Sequence, residues 1–390
     1  MYLVGIDISK FKHDCFIATE TGQTIKNNFS FANDFGGFSE LLRVLKSLDH
    51  SSEIRIGLEA TGHYGSNLKI FLHDNGYPFM ELNPLLSERY RQVSSLRKTK
   101  TDKIDAMMIS KLLLVLDFKP YPLKSYHILA LKSLVRFRWR LIEARTKHKV
   151  RLQNIMDLTF PEYFKLFAAP FGETSLFILS HYPTAEKLAR ADLNALSDNV
   201  RRLSHGRFTD SKLYRLVELA KSTIGNCNEI FEMQMAATLD QIKLHDEQIH
   251  QIEVKIMDIM DKYHFPTASI RGIGVISAAS IISEYGDFSL FCSPAQMLSF
   301  AGLEPAIYQS GTQTFSGKMV KRGSPYLRLT LMNVSNSIIH FNPVFHQYYQ
   351  KKRNEGKPHR VALSHVAKKL IRVIFKLEKD KIPFDLNQLK

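Results

Sequence analysis

The sequence predicts an α/β domain built on a mixed sheet, followed by mainly α-helical regions. Short β-branched and aromatic segments open the chain and then alternate with helical spacing. Two long stretches further on have helical periodicity, and from residue 266 glycines and prolines punctuate short elements.

Residues 2–8 (YLVGIDI) and 13–19 (HDCFIAT) read as two strands of a hairpin or meander. Residues 38–48 have helical spacing, 54–59 (IRIGLE) form another strand, 64–73 a helix, and 77–82 a last strand ended by Asn83-Pro84. The α/β domain is expected to end near Pro120–Pro122. Residues 128–157 are a long basic helix carrying the single tryptophan, Trp139. Residues 228–262 are a second long helix. Met235, Ile242, Ile249 and Ile256 recur there every seven residues, Leu239, Ile252 and Ile259 fill most of the complementary seam, and Asp246 interrupts it. This coiled-coil pattern needs a partner, either the 128–157 helix or a copy from another subunit. The segment from 266 reads as short helices and turns, and 326–377 returns to helix. Three domains are expected, 1–125, 126–262 and 263–390.

The 390 residues carry a net charge of +15, unevenly placed. Residues 85–151 hold 17 Lys/Arg against 5 Asp/Glu, residues 318–390 hold 16 against 4, and the rest of the chain is net negative. Two basic segments in an otherwise acidic chain suggest polyanion contacts at two places. Cys15, Cys227 and Cys292 form no CxxC pattern, so a reduced cytoplasmic protein without a zinc site is expected. No apolar run reaches membrane-spanning length, and Asp7 and Lys10 interrupt any signal-peptide core.

Four acids stand out by context. Asp7 lies inside an apolar strand, Glu59 ends another, and Asp102 and Asp105 share one face of a helix start in KTKTDKIDA. A carboxylate in a buried strand is costly unless paired or bound to a cation. Carboxylates converging from strands and a helix can make the oxygen-rich cage that Mg²⁺ prefers. Each also has an ordinary reading as a turn cap, an ion-pair partner or a first-turn helix acid. Lys98, Lys100 and Lys103 beside them are candidates for nucleic-acid contact or plain solvated charge.

GIDISK, LEATGHYG, LNP and KTDKIDA resemble the N-terminal domain of DEDD-type insertion-sequence transposases, a family that includes Piv-type DNA invertases and bridge-RNA-guided recombinases. The resemblance implies a RuvC-like (ribonuclease H-like) fold. It places the family's four metal-binding acids on Asp7, Glu59, Asp102 and Asp105. RGIGVISAASIISEYGD, FAGLEPAIYQSG and KRGSPYLR resemble the family's C-terminal transposase domain, whose nucleophilic serine falls on Ser310. Where the family often has Asn after KRG, this chain has Ser324.

From the residues alone, Ser310 is one loop serine among Ser316 and Ser324, with no histidine nearby to activate it. Lys318, Lys321, Arg322 and Arg328 follow as candidate phosphate clamps. Gly272 and Gly274 resemble a helix-hairpin-helix turn that aims backbone N–H groups at a phosphate, with a plain helix–helix turn as the alternative. The family resemblance implies Mg²⁺, with Mn²⁺ as a substitute, donor and target DNA and a structured guide RNA; a dimer or tetramer is expected, with the heptad coiled coil as its dimerising element. It implies a Mg-dependent DNA recombinase working through a serine–DNA link. A metal-dependent nuclease with water as nucleophile, and a non-enzymatic nucleic-acid scaffold, are the rival readings.

Overall fold

The computed structural model describes the chain apart from residues 50, 61, 95–101, 122–125, 227, 311–312 and 387–390, and apart from the side chains of residues 28, 85, 94, 102, 126 and 305–318. It divides into two compact units, Met1–Lys124 and Ser125–Lys390.

The first unit starts as a three-stranded meander, β1 (Tyr2–Ile8), β2 (Lys12–Thr19) and β3 (Thr24–Ala32). Helix α1 (Phe35–Lys46) follows, then β4 (Ile54–Glu59), α2 (Ser66–Asp74), β5 (Phe79–Leu82), α3 (Pro84–Ser94) and α4 (Asp102–Val115). The sheet order is β3-β2-β1-β4-β5. The first three strands are antiparallel, and β4 and β5 run parallel to β1 and to each other. Strands alternate their side chains between faces. Val4, Ile6, Ile8, Cys15 and Ile17 therefore pack on one face with Leu41 and Leu45 of α1 and Leu68 and Leu72 of α2. Phe16 and Ala18 meet Ala106 of α4 on the other. Burial pushes the thiol of Cys15 up, so it stays protonated as part of that core.

β3 was not among the sequence-predicted strands. Its segment TIKNNFSFA is polar between its aromatics, and it lies at the sheet edge, where one side needs no strand partner.

The second unit is organised by two long helices, α5 (Tyr126–Thr159) and α10 (Glu229–Tyr263). Between them lie α6 (Glu173–His181), α7 (Ala185–Ala189), α8 (Leu193–Leu203) and α9 (Asp210–Lys221). After α10 come α11 (Val275–Tyr285), α12 (Pro294–Ala301), a hairpin of β6 (Pro305–Ser310) and β7 (Gln313–Met319), and α13 (Pro325–Phe341), α14 (Pro343–Asn354) and α15 (His359–Asp380). The long helices pack antiparallel: His127 stacks on Tyr263 at one end and His148 meets His245 towards the other. One end of the pair shares a core with α6–α9, through Leu152, Met156, Met235 and Ile242. The other end shares a core with α11–α15, through Leu131, Val135, Ile249 and Ile256.

The heptad seam is thus occupied inside one chain. Met235, Ile242, Ile249 and Ile256 are all buried, and α5 is the partner of α10. Asp246, which interrupts the seam, forms an ion pair with Arg145 of α5. The expectation of a dimerising coiled coil is corrected: the repeat is answered by an internal helix.

The basic charge of α5 is partly answered in the same way. Arg138 pairs with Glu253, and Arg136 and Lys132 converge on Glu284 of α11, which is fully buried. Burial pushes the Glu284 carboxyl up, but hydrogen bonds from Arg136 and the charges of Lys132 and Arg136 prevail and hold it below its usual range. A depressed folded-state pKa contributes stability at pH values above the unfolded pKa, and this is lost as pH falls through the folded one. Acidification below about pH 4.3, the ordinary glutamate value, is therefore expected to loosen the α5–α11 contact. Glu284→Gln should flatten that part of an acid-unfolding curve followed by Trp139 fluorescence; an unchanged curve would contradict it.

Ile249→Asp places a charge in the closed seam beside Asp246. It is expected to lower the stability of the second unit by about 3 kcal/mol or more while leaving the molar mass in light scattering unchanged. Dissociation of a larger species without loss of stability would instead show that the seam joins two chains.

Candidate carboxylate site and serine hairpin

The sequence repeats one short pattern in two strands, Gly5-Ile6-Asp7 in β1 and Gly57-Leu58-Glu59 in β4. The strands are adjacent and parallel, with Gly5 opposite Gly57 and Ile6 opposite Leu58. Asp7 and Glu59 are the next residues along these two strands, near their carboxyl ends. Residues two apart share a face, so both acids lie on the face that carries α4.

The glycines are what let α4 come close. A Cβ on Gly5 would collide with the carbonyl oxygen of Ala106, and one on Gly57 would lie 2.9 Å from Cγ2 of Ile109. Helix α4 therefore rests its backbone on the centre of the sheet. Asp105 is the residue before Ala106, and Asp102, one turn earlier, begins the helix. The side chain of Asp102 lies outside the described residues.

Glu59 and Asp105 line one cleft of about 200 Å³, together with Ser87, Glu88 and Arg91 of α3 and with Pro84 and Met108. Arg91 Nη1 donates to Asp105 Oδ1 at 3.3 Å. Among the described residues no group of three or more His, Cys, Asp or Glu side chains forms a cluster able to hold a metal ion. The donors around the cleft are nonetheless carboxylate oxygens, the chemistry that hard divalent cations take.

Sequence reasoning missed Asp14. It stands opposite Asp7 in the β1–β2 register and opposite Ser30 in β2–β3, and it is 2% exposed. Its charge is answered internally: Lys12 Nζ lies 3.1 Å away and the Ser30 hydroxyl donates to it. The signal was an acid inside HDCFIAT, a strand correctly read but not searched for carboxylates.

In the second unit Ser310 is the last residue of β6, opposite Gln313, with the connecting Gly311 and Thr312 outside the described residues. This corrects the expected loop: the serine belongs to a β-hairpin. Its base is fixed by backbone packing. Val320 N–H donates to the Glu304 carbonyl at 2.9 Å. Gly302 (φ +66°) and Gly323 (φ +97°) interlock, since a Cβ on the first would strike the Arg322 carbonyl and one on the second the Phe300 carbonyl.

Arg328 Nη1 donates to the carbonyls of Lys321 and Ala301, at 3.1 and 3.4 Å, so part of this guanidinium holds the hairpin base. Ser324 caps α13 by accepting from Leu327 N–H. Lys321 (φ +55°) and Arg322 are exposed. The side chains of Lys318, Ser310 and Ser316, and all of Lys98 and Lys100, lie outside the described residues, and Lys103 is exposed on α4.

Gly272 (φ +101°) packs on α13, where a Cβ would lie 3.1 Å from Ile338 Cα. Gly274 caps the N-terminus of α11 with open space around it. Of the basic residues in the first charged window, Arg140, Lys147 and Arg151 remain exposed along one stripe of α5. Among the described residues no helix is long and apolar enough to cross a membrane.

Gly5→Ala is expected to lift α4 from the sheet, at a cost of about 1–3 kcal/mol, seen as faster amide exchange of residues 106–113. Gly36→Ala, where a Cβ would meet only Asp34 Oδ1 at 3.4 Å, is the control. Equal protection in both variants would remove the proposed role of the glycine seat.

Residues 4–161 match the DEDD transposase family of IS110, and residues 267–350 match the transposase family of IS116, IS110 and IS902. The pilin gene-inverting protein of Moraxella bovis is 23% identical over 98% of this chain and 97% of its own length. The IS116 uncharacterized 44.8 kDa protein of Streptomyces clavuligerus is 24% identical over 97% and 94%. The IS117 mini-circle protein of Streptomyces coelicolor is 23% identical over 94% and 91%. The two family matches fall on the sheet-and-α4 unit with the whole of the long helix α5, and on the region of the serine hairpin; the chain belongs to the IS110/IS116/IS902 transposase family.

Proposed function

We propose that the protein is an insertion-sequence recombinase that cuts and rejoins DNA at its carboxylate site, with Ser310 as nucleophile. The observation that carries this reading is the cleft that Glu59, at the end of β4, shares with Asp105 of α4, with Asp7 following the paired stretch of the neighbouring parallel strand β1. The strand order, with three antiparallel strands and two more parallel to β1, supports a RuvC-like, ribonuclease H-like assignment for the first unit. The name of the pilin gene-inverting protein supports rejoining rather than cutting alone.

Asp7, Glu59, Asp102 and Asp105 would hold Mg²⁺, or Mn²⁺ in its place. Bound there, the ion would neutralise charge developing on the phosphodiester oxygens. The strands and the seated helix keep the carboxylates oriented before substrate arrives. The Ser310 oxygen attacks phosphorus: an O–P bond to serine forms, a P–O bond to the neighbouring nucleotide breaks, and the leaving oxygen ends as a hydroxyl. Attack by a hydroxyl of the recipient strand reverses these steps and frees the serine, so no nucleotide cofactor is consumed.

Lys103, Lys318, Lys321 and Arg322 would contact phosphates, with the remaining donors of Arg328 behind them. Gly274, at an open helix N-terminus, would do so through its backbone. A structured guide RNA is the proposed second partner, with the Arg140–Lys147–Arg151 stripe as a surface for it. The proposed assembly is a dimer or tetramer formed through surfaces other than the α10 seam.

Ser310→Ala should retain DNA binding but lose recombination and any covalent protein–DNA adduct, by at least about a hundredfold. Asp7→Ala and Glu59→Ala should lose both recombination and cutting. Ser324→Ala should keep the chemistry while weakening the α13 cap by about 1 kcal/mol. Nicking that persists in Ser310→Ala would favour a nuclease with water as nucleophile and overturn the serine assignment.

A further inference from the structure

Three loops meet at the carboxyl ends of β1 and β4, just beyond Asp7 and Glu59. The β1–β2 turn carries Lys10 and Phe11, the β3–α1 turn leads into Phe35, the first residue of α1, and the β4–α2 loop carries His63 and Tyr64. Asn33 ties them together. Its Nδ2 donates to the carbonyls of Lys10, at 3.1 Å, and Tyr64, at 3.4 Å, and its backbone N–H donates to the Phe11 carbonyl at 2.9 Å. Gly65 closes the loop onto β1, since a Cβ there would lie 2.6 Å from Cδ1 of Ile8, the residue after Asp7.

This fixed framework holds its aromatic rings out in solvent. Phe11 is 76% exposed, Phe35 84% and Tyr64 36%. Exposing large apolar rings is unfavourable, and here they rise from two loops and the start of α1 at one edge. A cation accompanies them: Lys10 Nζ lies 4.8 Å from the centre of the Phe11 ring, and His63 packs on Tyr64 at 4.3 Å. Flat rings interleaved with a cation fit a polyanion that also offers flat faces. Unpaired nucleotides are that ligand, because every base stacks on an aromatic face while its phosphate meets the cation. A protein partner would find an apolar surface broken by a lysine and a histidine. A closed duplex would offer phosphates but no free base face.

We propose that Phe11, Phe35 and Tyr64 form a stacking rim that holds unpaired bases of the DNA strand whose phosphodiester enters the carboxylate site, with Lys10 on its backbone. The proposal rests on the reading of that site as acting on DNA. It adds that the strand arrives locally unpaired, and that these rings set which phosphodiester reaches Asp7 and Glu59. They are positioning residues, not catalytic ones.

The test uses the full-length protein in EDTA, so that binding is read without turnover. Probes are a duplex with a short single-stranded gap carrying 2-aminopurine, the matching continuous duplex, and an RNA oligonucleotide of the gap sequence. Phe11→Leu/Phe35→Leu and Tyr64→Leu keep apolar bulk but remove the ring faces. Each is expected to weaken binding of the gapped DNA about tenfold and to relieve quenching of 2-aminopurine, with continuous-duplex affinity within about twofold of wild type. Gapped-DNA affinity equal to wild type overturns the rim, as does an equal loss on both DNA forms or a loss confined to RNA. A changed sedimentation mass of the free variants overturns it in favour of a contact between copies of this chain. If the wild type binds neither DNA form, the reading of the carboxylate site fails as well, and the two failures are told apart.

Discussion

The first unit depends on an absence of side chains. Gly5 and Gly57 face each other on neighbouring parallel strands, and helix α4 occupies the space that two β-carbons would fill, with its backbone over Gly5 and the side chains of Ile109 and Leu113 over Gly57. Glycine weakens a strand by itself, and the loss is offset by burial of Ala106, Ile109 and Leu113 over the sheet. The acids are placed by the same contact. Each strand carries its acid two residues beyond its glycine, so any packing that aligns the glycines aligns the acids. The helix that rests on the glycines brings Asp105 with it. Packing and site geometry are here one constraint, which lets strands and a helix far apart in sequence meet at one place.

The second unit solves a different problem, that of holding a hairpin steady among helices. Its spine is the α5–α10 pair, which shares one hydrophobic core with α6–α9 and another with α11–α15. Glu284 locks α11 to that spine through Arg136 and Lys132, and Arg136 also lies 5.3 Å from the Tyr326 ring at the start of α13. A buried carboxylate with a two-toothed arginine partner is costly to strand, because Glu284 without Arg136 would be left charged in a low-dielectric interior. The Ser310 hairpin is attached near this lock, through the Gly302–Gly323 interlock and the Arg328 hydrogen bonds. Much of the basic charge that made α5 look like a nucleic-acid surface is thus committed to holding the unit together.

How much was legible in the sequence follows from what each element buries. The strands of 2–8, 13–19 and 54–59 were legible because they are apolar and central, and the long helices because their periodicity runs over many turns. β3 was not, because an edge strand can be polar. The β6–β7 hairpin was not, because glycines and prolines around it read as turns, and pairing across a two-residue connection leaves no mark in composition. The heptad was legible as a seam, but its partner was not, since a hydrophobic stripe does not say which helix covers it. Asp7, Glu59, Asp102 and Asp105 were singled out by context and resemblance. The reason that Asp7, Glu59 and Asp105 can meet, the repeated glycine two residues before each strand acid, becomes meaningful only once the register is known.

Asp14 shows why burial alone is a poor guide to such a site. It is an acid inside the sheet, in the same row as Asp7 and more deeply buried than any of the four singled out from sequence whose side chains are described. By the rule that a buried carboxylate needs a cation it would rank first. Yet Lys12 and Ser30 already answer its charge from the neighbouring strand positions, and it lies one strand further from β4. What separates Asp7 and Glu59 from it is place: both stand at the ends of parallel strands, where the chain turns away and a cleft opens, and Glu59 lines that cleft together with Asp105. An acid held by its neighbours stabilises the sheet, whereas acids gathered where the backbone diverges leave room for a substrate between them. The exposed rings of Phe11, Phe35 and Tyr64 rise from the same divergence of loops. The end of the sheet that gathers the carboxylates is therefore also the end that can present a strand of bases to them.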